Sequence, residues 1–414
     1  MSVKYYDIII IGSGIAGLYS AYNIQKMSPS SSFIILEKHQ KKWVGGRIGN
    51  EPFYGTQIVT GAGVGRKDKH PLLIELLNEL DVKYSEFDSI MYYSTLIEPV
   101  DINKIMKQLR TEYGKHIELH HKTFKEFFIR IFDEKLYKRF IISAGYTDYE
   151  NADLHETLYN YGMDDNKGGW KGLNIPWKKM IDELYNKIGK KHFRFSNDVV
   201  EINKIEKSPC LFEINVETGG TYHCNKVIVA TTITGIQKLI PNKNSLYQQI
   251  QGQPFLRLYA KFNKESAEIM TKYVPDYIIV PGPLQKIIPI NKDKGVYMIS
   301  YSDNSNALLQ KNYLKDTPNN RAIYCRLLEA SLGIQNGVLQ IIAMKDFYWS
   351  IGTHYYKPLR GVYKTRNEFV DKAQHPENGI LVVGEVVSRY QGWTEGALKS
   401  VKTALSKSWI QTEC

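Results

Sequence analysis

The sequence predicts an α/β fold in which one parallel sheet is collected from distant parts of the chain, and a second domain of mixed sheet and helices is built from the segments between them. Three observations predict it. Four consecutive isoleucines at 8–11 run straight into Gly12-Ser13-Gly14-Ile15-Ala16-Gly17, a strand that turns sharply into a helix-like pattern. A second apolar run, "SSFIILEK" at 31–38, completes a β-α-β unit and ends in an acid. Runs of the same kind return in the middle as "KVIVATT" at 226–232 and near the end as "GILVVGE" at 379–385. Unbroken apolar runs are the mark of strands covered on both faces, as in parallel sheets.

In chain order, residues 5–11 read as the first strand, Ile15–Met27 as a helix and 31–38 as the second strand. "PLLIELLNELD" at 71–81 has helical spacing with a proline in its first turn. From about 101 to 188 the pattern is mostly helical. Thr123 and Glu126 are set for a capping box, and Pro176 opens a helix over 175–189. Strands return between 198 and 230, with a Gly219-Gly220 turn. Alternating segments follow at 255–263, 277–281, 286–290 and 295–302, then a helix near 318–332, a strand near 338–348 and a helix over 394–410. The domains are therefore expected to be discontinuous: 1–75, 190–245 and 375–414 bind the nucleotide, while 76–189 and 246–374 bind the substrate.

A chain of 414 residues is too long for one compact core. Its 43% hydrophobic and 23% charged residues are those of an ordinary globular protein. The net charge of +11 is spread along the whole length. That reads as a solvated basic surface, or as a weak pull towards anionic partners; no basic-aromatic cluster marks a specific nucleic-acid site. Cys210, Cys224, Cys325 and Cys414 are widely spaced, which fits a reducing compartment rather than a disulfide framework or a zinc ribbon. The first apolar run leads into the glycine turn and is no signal peptide, and no stretch reaches the roughly 18 apolar residues of a membrane helix. The expectation is a soluble, cytoplasmic protein without a membrane anchor.

Gly12, Gly14 and Gly17 form the dinucleotide fingerprint in its proper setting. Gly12 permits the tight turn, Gly14 lets backbone approach a pyrophosphate, and Gly17 lets helix and strand pack closely, with Ser13 and Ala16 between them. The helix start offers free N–H groups to the phosphates. Glu37, about 20 residues on and followed by Lys38, is placed to accept ribose hydroxyls and to repel a 2′-phosphate. Gly45, Gly46 and Arg47 in "GGRIGN" then bring a second backbone segment and a bridging cation to the phosphates, which a plain NAD fingerprint lacks.

These segments resemble the flavin-containing amine oxidases. "EKHQKKWVGGRIGN" looks like that family's acid-then-GGR segment, and "VTGAGVGRKDKHPLLIELLNEL", with Gly63 and Val64, like the glycine-rich stretch that passes the flavin. "NDVVEINKIE" resembles a middle strand whose backbone, at Val199, meets the adenine. "GILVVGEVVSRYQGWTEGALKSV" resembles the C-terminal flavin segment: Gly384 and Glu385 contact the ribityl-pyrophosphate region, and Thr394 offers its N–H to the flavin. The resemblance implies a discontinuous Rossmann-like FAD-binding domain of the amine oxidase type, with a mixed-sheet and helical substrate domain. It implies a small-molecule amine as substrate and O2 as the acceptor that leaves as peroxide.

Three positions would tune that chemistry. Arg257, in "QPFLRLYAKF", stands where the family usually has a lysine near the flavin. Arginine does not deprotonate in proteins, so it either donates hydrogen bonds into the site or faces solvent from an edge strand. His354, in the turn Gly352-Thr353-His354, takes one aromatic-wall position, as a proton acceptor or as a packed core residue. Thr353 replaces the cysteine that bonds the flavin in monoamine oxidases, so attachment is expected to be non-covalent. Trp393 takes the second wall. Val401 departs from a family glycine, and Arg66 lies near the carboxylate-binding arginine of L-amino acid oxidases. His116, His120 and His121 lack a completing ligand and read as a solvated helix face, so no metal is expected. Beside the amine oxidase stand a related desaturase or L-amino-acid-oxidase type of enzyme, and a flavin-bound scaffold without turnover.

Overall fold

The computed structural model describes residues 4–163, 168–205 and 211–411; Cys210 and Cys414 lie outside them. Among these residues seven strands form the nucleotide sheet. Phe193–Phe195, Phe33–Glu37, Lys4–Ile11, Thr221–Val229 and Ile380–Val382 run parallel, and Phe212–Val216 and Val199–Lys204 extend the sheet antiparallel. Side chains alternate across a strand, which explains the isoleucine run. Ile8, Ile10 and Ile35 enter a core with Ile15–Met27, Trp177–Ile188 and Thr394–Ala404. Ile9, Ile11, Ile34 and Leu36 enter the opposite core, under Ile233–Leu239 and Arg366–Gln374.

The helix Trp177–Ile188, assigned with 76–189 to the substrate domain by its place in the chain, packs in the nucleotide core instead. Trp177, Met180, Ile181, Leu184 and Ile188 make a stripe at helical spacing, and the first of these cores is what buries it. Val401 is buried there too. The expected helix over 394–410 is two helices, Thr394–Ala404 and Lys407–Gln411.

The second sheet has six strands, in the order Ile341–Tyr356, Ile250–Phe262, Val296–Asp303, Lys286–Asn291, Tyr277–Ile279 and Met91–Tyr93. Arg257 thus sits on an interior strand at 4% exposure, and the solvent-facing alternative does not hold. Gly352-Thr353-His354, expected as a turn, is extended strand, with Gln253 opposite Thr353 and Gly252 opposite His354. Gly352 serves close strand packing there, since a Cβ would lie 2.2 Å from that of Phe255.

A helical lobe of Ile102–Lys115, Phe124–Ile131, Glu134–Ala144 and Leu154–Tyr159 closes over this sheet around Phe124, Phe127, Phe128 and Phe140. The side chains of Asp101, Thr123, Asp133 and Asp153 cap its helices, Thr123 in the expected box with Glu126. His116 pairs with Glu112 and Glu118, and His120 stacks on Tyr113.

Candidate functional site

One cavity of about 1730 Å³ runs between the two sheets, from the glycine turn to a chamber of aromatic rings. A drug-sized ligand occupies about 300–1,000 Å³, so there is room for a large cofactor and a substrate together.

The nucleotide end is made mostly of backbone. Gly12 has φ +103°, and a Cβ there would meet the Ala230 carbonyl at 2.5 Å; one on Gly17 would lie 2.0 Å from the carbonyl of Gly12. Gly14 differs: a Cβ on it meets no described atom within 4 Å, because that direction opens on the cavity. No described side chain caps the helix it begins, nor the helix begun at Trp393, so both present free N–H groups at the cavity. The Gly45 N–H donates to the Ser13 carbonyl at 2.9 Å and brings Gly46 against Gly14. Such a cradle fits the phosphates of a dinucleotide.

Glu37 lines this end and is held by three donors: Ser13 N–H at 2.8 Å, Ser13 hydroxyl at 2.7 Å and His39 N–H at 2.9 Å. Ser13 and Gly17 are buried behind the turn; Gly12, Ala16, Lys38, Gly63, Val64, Val199, Gly384 and Thr394 join Gly14 and Glu37 on the wall.

Midway, an arginine, a carboxylate and an imidazole meet. Arg47 donates to the Gly352 carbonyl at 2.5 Å and to Glu385 at 2.9 Å, and the Nδ1 of His354 lies 2.5 Å from the same carboxylate oxygen. The other Glu385 oxygen accepts from Gly392 N–H at 3.2 Å. Burial pushes the Glu385 carboxyl up, but the His354 ring and the Arg47 guanidinium outweigh it and hold it at about 2. His354 therefore does not form an aromatic wall. It is 3% exposed, its Nε2 accepts from the backbone N–H of Ile233 at 3.2 Å, and the ring proton is on the Nδ1 facing Glu385. Neighbouring side chains on a strand point to opposite faces, and it is Thr353 that reaches the cavity.

At the substrate end Trp393 lines the cavity, with its ring 4.8 Å from that of His70. Arg257 faces it from the interior strand, donating Nε–H to the Gly61 carbonyl at 2.6 Å and stacking on Tyr301 at 4.2 Å. A Cβ on Gly63 would lie 2.9 Å from its Nη2, so the guanidinium lies close against this glycine. Arg66 is turned away from the cavity, paired with Asp68 at 3.2 Å and stacked on Trp170. Sequence reasoning missed Tyr146, Asp148, Tyr161, Phe255 and Tyr301, all on the cavity wall. The only signal was an abundance of tyrosine, 29 in the chain.

Comparison with known proteins agrees with this arrangement. Residues 10–80 match the NAD(P)-binding Rossmann-like domain. An uncharacterized protein of Acanthamoeba polyphaga mimivirus is 23% identical, over 97% of this chain and 93% of its own. Among solved structures, wild-type putrescine oxidase bound to putrescine superposes with a TM-score of 0.74 at 14% identity, covering 97% of this chain and 99% of that one. A redesigned cofactor-binding triple mutant of the same oxidase gives 0.74 at 15%, covering 97% and 98%. Residues 114–404 match the family of flavin containing amine oxidoreductases, and a match over that much of its length makes this chain a member of that family and a flavin-dependent oxidoreductase.

Proposed function

We propose that the protein oxidises a primary or secondary amine, or a polyamine, to an imine with a non-covalently held FAD, and that O2 reoxidises the flavin to give hydrogen peroxide. One observation carries the reading: the glycine turn and the aromatic chamber open into a single cavity. A flavin held there would supply the acceptor for a hydride equivalent from the carbon beside the nitrogen.

The chain's own residues bind and orient. Gly14 and Gly46 admit the pyrophosphate to the two uncapped helix ends, and Glu37 keeps one lone pair, on Oε1, for a ribose hydroxyl. Val199 meets the adenine through its backbone. Glu385, locked by Arg47 and His354, fixes the segment from Gly384 to Thr394 along the cofactor. Trp393 supplies the wall that attracts a protonated amine, and Arg257 points donors at the reacting end. The nucleotide domain comprises 1–75, 190–245 and 375–414 together with the helix Trp177–Ile188. Thr353 offers no thiol, and the described cysteines, Cys224 and Cys325, are buried and free, which fits non-covalent flavin and a reducing cytoplasm. An aliphatic amine is also what the putrescine-bound relative holds.

Arg257 favours a second reading, the same flavin with another substrate or acceptor, because a fixed cation replaces a lysine that can shed its proton. An anaerobic absorbance scan of the purified protein against amines, polyamines and L-amino acids separates the two. Bleaching by an amine or polyamine establishes the oxidase; bleaching by amino acids alone, or by nothing, favours the second. Acid precipitation that leaves the flavin in the supernatant checks the non-covalent attachment.

A further inference from the structure

The substrate end carries a carboxylate that the reading above does not use. Asp148 lies on the loop between Glu134–Ala144 and Leu154–Tyr159, and its side chain lines the cavity. The loop is pinned on both sides. Thr147 gives its N–H and hydroxyl to Asp303, the hydroxyl at 2.7 Å, while the Asp148 carbonyl accepts from Gln253, which also donates to Thr353. The Tyr161 hydroxyl donates to the Asp148 carboxylate at 2.5 Å. Position and rotamer are thus set before any ligand arrives.

The groups that face Asp148 come from several elements. Asp303 is fully buried and also accepts from Gln285. Lys286 lies between the rings of Tyr146 and Tyr301, the latter at 4.4 Å, with Arg257 also stacked on Tyr301. Tyr149 completes the set. Burial drives the Lys286 amine well below its ordinary range, against the pull of Asp303 and Asp148, and it forms no ion pair with either among the described residues. Asp148 therefore opens on the cavity with no cation of its own in contact, and burial and the Asp303 charge push its carboxyl up to about 7. Of the groups beside it, Arg257 cannot take a proton, His354 has its Nε2 occupied, and Lys286 stands behind its tyrosines.

We propose that Asp148 receives the substrate's ammonium group and takes its proton, delivering a neutral amine to the oxidation step. This rests on the amine-oxidation reading. In the step R–CH2–NH3+ and the Asp148 carboxylate become R–CH2–NH2 and the Asp148 carboxylic acid. One N–H bond breaks, one O–H bond forms, the nitrogen regains its lone pair, and no electrons leave the substrate.

Asp148→Asn is the test, because the amide oxygen still accepts from Tyr161. Benzylamine and 1,4-diaminobutane are bound at pH 8 to dithionite-reduced holoenzyme, which cannot turn over, by calorimetry in two buffers of different ionisation enthalpy. Wild type should bind the ammonium and release almost no proton to buffer. The variant, restricted to neutral amine, should release about one proton per amine bound and bind at least tenfold more weakly. In anaerobic bleaching, the wild-type kcat/KM should level off above about pH 8. That of the variant should climb about tenfold per pH unit towards the amine's own pKa near 10. Equal proton release with the same pH profile overturns the proposal, as does failure of both amines to bind wild type. Asp148-dependent proton release without any bleaching of oxidised enzyme would sink the oxidation reading alone.

Discussion

The two ends of the cavity are built by opposite means. At the nucleotide end the contacts belong to the backbone: a glycine turn, a second glycine segment laid against it, and two helix starts without side-chain caps. At the substrate end they belong to side chains brought from far apart, Asp148 and Tyr161 from the helical lobe and Arg257 and Tyr301 from the interior of the second sheet. Helices that face solvent, such as Phe124–Ile131 and Pro318–Leu332, carry caps at Thr123 and Thr317. These capped starts contrast with the two that open on the cavity, whose N–H groups the proposed cofactor would satisfy.

Two glycine substitutions break that comparison most sharply. Gly17→Val should prevent folding or cost more than about 4 kcal/mol, because its Cβ would fall 2.0 Å from a backbone carbonyl that has nowhere to move. Gly14→Ala should leave the melting temperature of flavin-free protein unchanged, since φ is −67° and the new methyl meets no described atom within 4 Å. It should still lower flavin retention at least tenfold, read from the absorbance ratio after gel filtration. A Gly14→Ala protein as yellow as wild type would mean that the open space is not the phosphate cradle.

Glu385→Gln probes the Arg47–Glu385–His354 cluster where the two ends meet. Its folded pKa of about 2 lies below that of the unfolded chain, so it contributes stability above about pH 4.5 that is lost as pH falls through 2. The size is about 3 kcal/mol at pH 7. The variant should lose that much in urea unfolding at pH 7, and the gap to wild type should close as pH is lowered towards 3. A constant gap across the range would show that packing, not charge, holds the segment. Arg257→Lys should cost less, about 1–2 kcal/mol, for the bond to the Gly61 carbonyl and the stack on Tyr301. It should also change the rate of anaerobic flavin reduction by an accepted amine; an unaltered rate would remove Arg257 from the chemistry.

What was legible in the sequence follows the same division. Gly12, Gly14, Gly17 and Glu37 were readable because a tight turn with positive φ and a buried strand each dictate residue type within a few positions. Arg257 was readable as a position but not as an environment, since only the strand order makes its strand interior. His354 was misread by one place: resemblance located the segment, but on an extended strand a shift of one residue exchanges the cavity face for the buried face. Asp148, Lys286 and Asp303 carried no signal at all. Their meeting depends on a loop and a pair of strands far from it in the chain, and a charged residue in a helical insertion looks the same whether it meets solvent or a cavity. Trp177–Ile188 was legible as an amphipathic helix, but not which sheet its stripe would cover.

The smallest effect tests the capping argument from the other side. Thr317 accepts from the Asn320 N–H at the start of Pro318–Leu332, a helix none of whose residues lines the cavity. Thr317→Ala leaves that N–H to water and should cost about 1 kcal/mol in urea unfolding. Because the helix buries its apolar side in the separate core around Tyr324 and Leu328, the loss has no route to the glycine turn except through global stability. Flavin content and the anaerobic bleaching rate should both match wild type at a temperature well below the transition. A variant of normal stability that lost flavin would mean that the capped, solvent-facing helices also hold the cofactor end in shape, and the division between ligand-satisfied and self-satisfied helix starts would fail.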